Sequence, residues 1–352
     1  MTSSAPSLNP PARSAVPLPA HVPLPAHVPL ALQIRGGAVE GVHYGSLAAT
    51  DADGSVLFSA GEASAPSFPR SALKPLQAVA MVRAGLSLPD DLLALAAASH
   101  SGAAMHREGT RRILALHGLD ESVLANTTDL PYGVREREEW LAAGGAADHV
   151  CQNCSGKHAA MAAVCTLNGW PVRGYLEPSH PLQRLIAATV AELTGEEATV
   201  WSTDGCGTPL PAVSLIGMAR AYGRLALAGA SSEAGAEAAV ARAMVRHPEM
   251  VAGDDRDVTA LMRGLPGAVA KDGFEGVQLV GLPDGRAVAV KVSDGGDRAR
   301  MPVAIRALAA LGVPEALADG ALGPIASVPV LGGGRRIGAL VAYDAALPPA
   351  AS

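Results

Sequence analysis

Large aromatic side chains are nearly missing from this chain: three Phe, five Tyr and three Trp make up 3% of 352 residues. Any core must be filled by Ala, Leu and Val, the mix of helices in close small-residue contact and of Val-rich strands. Cysteine is scarce too. Four residues (Cys151, Cys154, Cys165 and Cys206) in so long a chain exclude a disulfide framework, and the compartment expected is a reducing cytoplasm. No apolar run approaches the ~18 residues of a membrane span, so no membrane partner is expected. The first thirty residues lack the basic start and unbroken apolar stretch of a signal peptide. Excess charge is also absent. The net charge is −6 with Lys and Arg scattered, which leaves no basic stripe for a phosphate backbone and argues against a nucleic-acid partner.

What is present is enough apolar content, 49%, for a substantial core. Residues 1–29 are rich in Pro, Ala and Ser and contain the tandem repeat VPLPAHVPLPAHVPLA, which reads as a disordered or polyproline-like tail. From residue 30 to 61 the pattern alternates between Gly and Asp-Gly turn signals, as in an antiparallel meander. Residues 71–264 are Ala- and Leu-rich with helical spacing, as in LQAVAMVRAGL and HPLQRLIAATVAELTG. Alternation returns in GVQLVGLPDGRAVAVKVSD, followed by a helix near 300–311 and a last strand in RRIGALVAYD. The expectation is an α+β fold: one catalytic domain over 30–348, with the strands of 30–70 and 265–348 in a single antiparallel sheet. The helical middle, 71–264, forms a subdomain, and the crevice between the two parts is the place for a site.

Four stretches could carry chemistry. In RSALKPLQAVAMV, Ser71 and Lys74 stand one helical turn apart at a helix entrance marked by Pro75. A serine hydroxyl needs a base to become a nucleophile, and a buried lysine can be one; a capping serine and a solvated lysine are the plainer alternative. In AAASHSGAAMH, Ser99 and then Ser101 are candidates for proton relay or substrate binding, against simple capping. CQNCSGKH reads as the start of a helix capped near Ser155, and TDGCGTPLP as a tight loop carrying Asp204, Gly205 and Cys206. Cys151, Cys154, Cys206 and a His could supply a Cys3His zinc site, though no second C-x-x-C or H-x-x-x-H supports it. A phosphate loop fails for want of its leading Gly, and a thioredoxin-like pair lacks its strand-then-helix context. Finally, Lys271-Asp272-Gly273 leads toward a strand in the order of the K-T-G element of serine β-lactamases.

Taken together, RGGAVEGVHYGSLA, FPRSALKPLQ, ASHSG, NCSGKHAAM, TDGCGTPLPAVSL and AKDGFEGV followed by AVAVKVSDG resemble the asparaginase II family, the thermolabile or rhizobial-type L-asparaginases. The resemblance runs from about residue 30 to the C-terminus. It implies a fold like that of serine β-lactamases and glutaminases, and hydrolysis of L-asparagine to L-aspartate and ammonia through an acyl-enzyme. It further implies Ser71 as nucleophile and Lys74 as its base. Ser99 and Lys271 would be a second serine–lysine pair, with Ser101 a competing match. Asp204, Gly205 and Ser101 would contact substrate. Zinc would be held by Cys154, Lys157 and Cys206 to orient substrate, Cys151 and Cys165 would be bystanders, and the protein would be a homodimer. A glutaminase, a β-lactamase-like hydrolase or a non-enzymatic zinc protein would share parts of this pattern.

Overall fold

The structure, a computed structural model, describes residues 24–317 and 320–349. The alternating N-terminal pattern forms the expected meander: β1 (Val28–Arg35), β2 (Ala38–Thr50) and β3 (Val56–Ala60). Pairing begins at Val28, so two residues assigned to the tail are already strand, and the repeat before residue 24 lies outside the described residues.

The middle is helical as its spacing predicts. A short 3-10 turn over Arg70–Leu73 runs into α1 (Lys74–Arg83), followed by α2 (Asp90–Ala96), α3 (Ala104–Leu116), α4 (Val134–Ala142), α5 (Ser155–Leu167) and α6 (Pro181–Thr194). His180 caps α6 before Pro181, and Gly195 ends it at φ 73°. Residues 201–211, expected to be loop, contain a hairpin instead, β4 (Trp201–Thr203) with β5 (Pro209–Pro211). Its two prolines are tolerated because this ribbon has only two strands, so one edge of β5 needs no donors. There follow α7 (Leu215–Ala230), α8 (Ala236–Arg246), α9 (Pro248–Val251) and α10 (Asp257–Gly264).

The C-terminal part supplies β6 (Val269–Gly273), β7 (Val277–Gly281), β8 (Ala287–Val292), α11 (Arg300–Ala310), β9 (Val328–Gly332) and β10 (Arg335–Ala342). These strands join the N-terminal ones in an eight-stranded sheet of order β6-β7-β8-β2-β1-β10-β9, with β3 also on β2. The seams expected between the chain ends are antiparallel, with Leu47 opposite Val290 and Leu32 opposite Val341. α7 and α11 both pack on β7 and β8, so nearly every residue of these strands is buried and, apart from Gln278 and Lys291, apolar. Each fully buried Leu or Val there contributes about 1.5–3 kcal/mol. A Cβ at Gly281 would lie 2.1 Å from the Tyr222 carbonyl oxygen, so only Gly lets α7 approach β7 this closely. No helix among the described residues is long and apolar enough to cross a membrane.

Candidate active site

The helical middle meets the sheet where the Arg70–Leu73 turn packs on the end of β6. A Cβ at Gly273 would come within 2.4 Å of the Pro69 carbonyl oxygen, so the glycine of the Lys271-Asp272-Gly273 triplet is there for backbone approach. The triplet is the end of β6 itself rather than a turn ahead of a strand, because Lys271 pairs with Leu279 and Gly273 with Val277. Arg70 adopts a left-handed φ of 52°, uncommon outside glycine, immediately before Ser71. Two bonds fix this turn. Arg70 Nε donates to Asp204 Oδ1 at 2.8 Å, and the buried Tyr222 hydroxyl of α7 donates to the Ala72 carbonyl at 2.6 Å.

Ser71 and Ser99 face one pocket, whose walls include Tyr132, Asn153, Arg256 and Asp297. Lys74 is fully buried, and its Nζ donates to Ser99 Oγ at 2.7 Å and to the Ala98 carbonyl at 2.8 Å. Lys271 is buried as well, but its ammonium turns to the side chain and carbonyl of its neighbour Asp272. The serine–lysine contact at Ser99 is therefore with Lys74 and not with Lys271. Between Ser99 and Ser101, only Ser99 lines the pocket. Ser101 is buried beside Gly253 with its hydroxyl unpartnered.

Charge in this region is concentrated on Asp272. It faces Lys271 on one oxygen, and Arg256 Nη2 donates to the other at 2.6 Å. Burial pushes its pKa up, but Lys271, Arg256 and Arg300 outweigh this and hold the carboxyl well below its usual range. Lys271 is brought down to about 8, chiefly by burial and secondarily by Lys74, while Asp272 opposes the shift.

The three sulfur and nitrogen groups expected to hold metal come together. Cys154 and Lys157 lie at the start of α5 and Cys206 lies in the β4–β5 hairpin loop. Lys157 Nζ donates to Thr208 Oγ1 at 2.6 Å and to Cys206 Sγ at 3.1 Å. Next to Cys154 and Lys157 the Cys206 thiol is held well below its ordinary value, while Cys206 and burial push Cys154 up. Burial alone would lower Lys157, yet the two sulfurs and Asp204 raise it, so the buried pair is an ammonium and a thiolate. His158 beside them is held down to about 4 by burial, and its buried Nε2 has no partner. Two buried sulfurs, the Lys157 amine and Asp204, 4.0 Å from Cys206 Sγ, lie together, and Lys157 would have to give up its proton to serve as a zinc ligand. The Cys3His arrangement does not form: the Cys151 thiol sits against Asp148, and burial and that carboxylate push it up to about 12. Among the described residues no three His, Cys, Asp or Glu side chains converge on a metal position. Cys165 is an inert buried residue of α5. Ser155 is the first residue of α5 and not its cap, because its hydroxyl is used by His100 and Thr110.

With this geometry, a match to the family model for L-asparaginase II spans residues 31–342. The chain belongs to the L-asparaginase II family. As a member it is an amidohydrolase acting on a small-molecule amide. No curated protein matches the chain. Among solved structures, a candidate beta-lactamase from Bacteroides dorei DSM 17855 is 14% identical, with 72% of this chain and 86% of that one aligned at a TM-score of 0.42. A beta-lactamase from Mycobacterium bovis is 18% identical, with 76% and 94% aligned at a TM-score of 0.36.

In this asparaginase II chain, residues to which the motifs gave no role complete the site. Asn153 lines the pocket while its Oδ1 accepts from Cys154 Sγ at 3.1 Å, which links the pocket to the sulfur cluster. Arg256, Tyr132 and Asp297 arrive from loops far apart in sequence, and nothing in their local sequence marks them. Asp272 had a visible signal, its place next to Lys271. Asp204 acts through Arg70, and Gly205 is an exposed residue of the hairpin loop whose carbonyl accepts from Thr127 at 3.3 Å. Neither Asp204 nor Gly205 forms part of the pocket wall.

Proposed function

We propose that this family member hydrolyses L-asparagine to L-aspartate and ammonia, with Ser71 as the nucleophile. The observation that carries the reading is that Ser71 and Ser99 share one pocket while the buried Lys74 amine, a helical turn from Ser71, is bonded to Ser99. Ser71 Oγ attacks the side-chain amide carbon, its proton moves to the neutral form of Lys74, and Ser99 connects that amine to the pocket. Proton delivery to the departing nitrogen releases ammonia and leaves an ester on Ser71. Water then cleaves the ester to give aspartate and restores the hydroxyl. Lys271, with its pKa at about 8, is an amine able to exchange protons near neutral pH.

Zinc fits the same reading as a resident ion held by Cys154, Lys157 and Cys206. When bound, it would supply Lewis-acid polarisation and orientation of a substrate oxygen. The protein's own contribution there is to keep the sulfurs buried, tie Asp204 to the Ser71 turn through Arg70, and join the cluster to the pocket through Asn153.

Ammonia release from L-asparagine and L-glutamine should be assayed side by side with ring opening of a β-lactam, followed by its loss of absorbance. Asparagine turnover that disappears in Ser71→Ala is the expected result. Normal turnover in that variant would remove Ser71 from the mechanism, and preference for glutamine would reassign the substrate, since one methylene in a pocket is worth only about 1–3 kcal/mol.

A further inference from the structure

The pocket carries charged groups that the serine–lysine chemistry leaves unused. Arg256 precedes α10, and its guanidinium lies 4.8 Å from the centre of the Tyr132 ring. Nη2 is committed to Asp272 at 2.6 Å, whereas Nη1 is buried with no partner in the protein. An unpaired buried N–H of a charged group is unfavourable, and an acceptor supplied by a ligand at this wall would satisfy it. Electrostatics favour an anionic acceptor. With Lys271 charged, two cations share the single carboxylate of Asp272.

Asp297 lines the same pocket with the opposite charge. Its closest cation is Arg300, whose Nε is 3.7 Å away, and its side chain is 48% exposed. A pocket with a guanidinium nitrogen short of an acceptor and a half-exposed carboxylate, paired to Arg300 at 3.7 Å, is complementary to a zwitterion. A neutral amide would leave both groups unused.

We propose that Arg256 is the anchor for the α-carboxylate of an amino-acid amide, with Asp297 receiving its α-ammonium. The assignment rests on the asparaginase reading for the identity of the ligand, and it deepens that reading by saying why a free amino acid is selected. Arg is the suitable residue because its planar fork can keep one arm on Asp272 and offer the other to a carboxylate. Asp272 is then a positioning residue that sets the guanidinium against the pocket and holds Lys271 behind it.

Binding, not turnover, separates this proposal from the hydrolase reading. In the full chain carrying Ser71→Ala, calorimetry would compare L-asparagine with 3-aminopropanamide, which lacks the α-carboxylate, and with succinamate, which lacks the α-ammonium. Arg256→Gln is expected to weaken L-asparagine and succinamate by ~10- to 100-fold while leaving 3-aminopropanamide unchanged. Asp297→Asn is expected to weaken L-asparagine and 3-aminopropanamide and spare succinamate. Equal weakening of all three ligands by Arg256→Gln would overturn the anchor and leave Arg256 a structural partner of Asp272. No effect on any ligand, or no asparagine binding by the parent chain, would overturn it as well. If Arg256→Gln fails to fold, Arg256→Lys, which keeps the charge and loses the fork, should still weaken the two carboxylate ligands selectively. A chain that binds asparagine through Arg256 although the wild type releases no ammonia removes the hydrolase reading and leaves the anchor standing.

Discussion

Lys74 Nζ donates to Ser99 Oγ at 2.7 Å, across 25 positions of sequence and with both side chains buried. The contact joins the start of α1 to the segment after α2, so the amine one turn from Ser71 is tied to a second serine on the wall of the same pocket. Such a buried link fixes the direction of the amine and gives a proton a defined route to the pocket.

Removing that link tests its part in proton transfer. Ser99→Ala should lower kcat for asparagine by ~10²–10⁴-fold with a small change in KM, the range for loss of one positioned proton-transfer group. An unaltered kcat in steady-state ammonia release would mean that Lys74 serves Ser71 without Ser99.

Asp272 is expected to matter for stability as much as for catalysis. Asp272→Asn leaves Lys271 and Arg256 without their shared counter-charge, a change of about 3–5 kcal/mol for a broken buried pair. Because the folded carboxyl lies well below its unfolded value, its contribution is full above the ordinary Asp range near ~4 and is lost as pH falls further. Thermal melts of both proteins should show the gap at neutral pH narrowing in acid. A gap independent of pH would contradict the depressed carboxyl.

The pH–rate profile reports on Lys271. If its neutral amine takes part in proton exchange, kcat/KM should rise as pH increases through about 8 and then level, because the amine must first lose its proton. Lys271→Arg, always charged, should lower the rate and remove that limb. A profile with the same inflection in the variant would assign the step to another group.

Zinc occupancy separates a substrate-orienting metal from a structural one. Dialysis against a chelator should raise KM for asparagine while leaving the far-ultraviolet circular dichroism unchanged, and added zinc should restore saturation. Cys206→Ser should reproduce the loss and resist rescue. Unfolding on metal removal would instead make the ion part of the fold.

Much of the fold is legible in the sequence because its cues are local. Apolar periodicity distinguishes the strands of the two ends from the helices between them, and Pro181, Gly195 and Asn168-Gly169 mark helix boundaries where the structure has them. The hairpin at 201–211 was hidden by its prolines, and β9 by Pro329 within it and the glycine run that follows. Ser71, Lys74, Ser99, Cys154, Lys157, Cys206 and Lys271 stand in motifs, so their candidacy needs no coordinates.

Which of those groups touch is another matter. Ser99 turns to Lys74 while Lys271 turns to Asp272, and the Cys206 loop reaches α5 through Lys157, because β6, α1, α5 and the hairpin converge on one crevice. Arg256, Tyr132, Asn153 and Asp297 enter the pocket the same way. The sequence by itself determined most of the elements, through periodicity along the chain, and, through the resemblance of its motifs, the family and the candidate residues for serine–lysine chemistry. Only the tertiary structure decided the pairings and the charge on the pocket wall, since burial and through-space contact set which amine meets which oxygen and which cation is left without a partner.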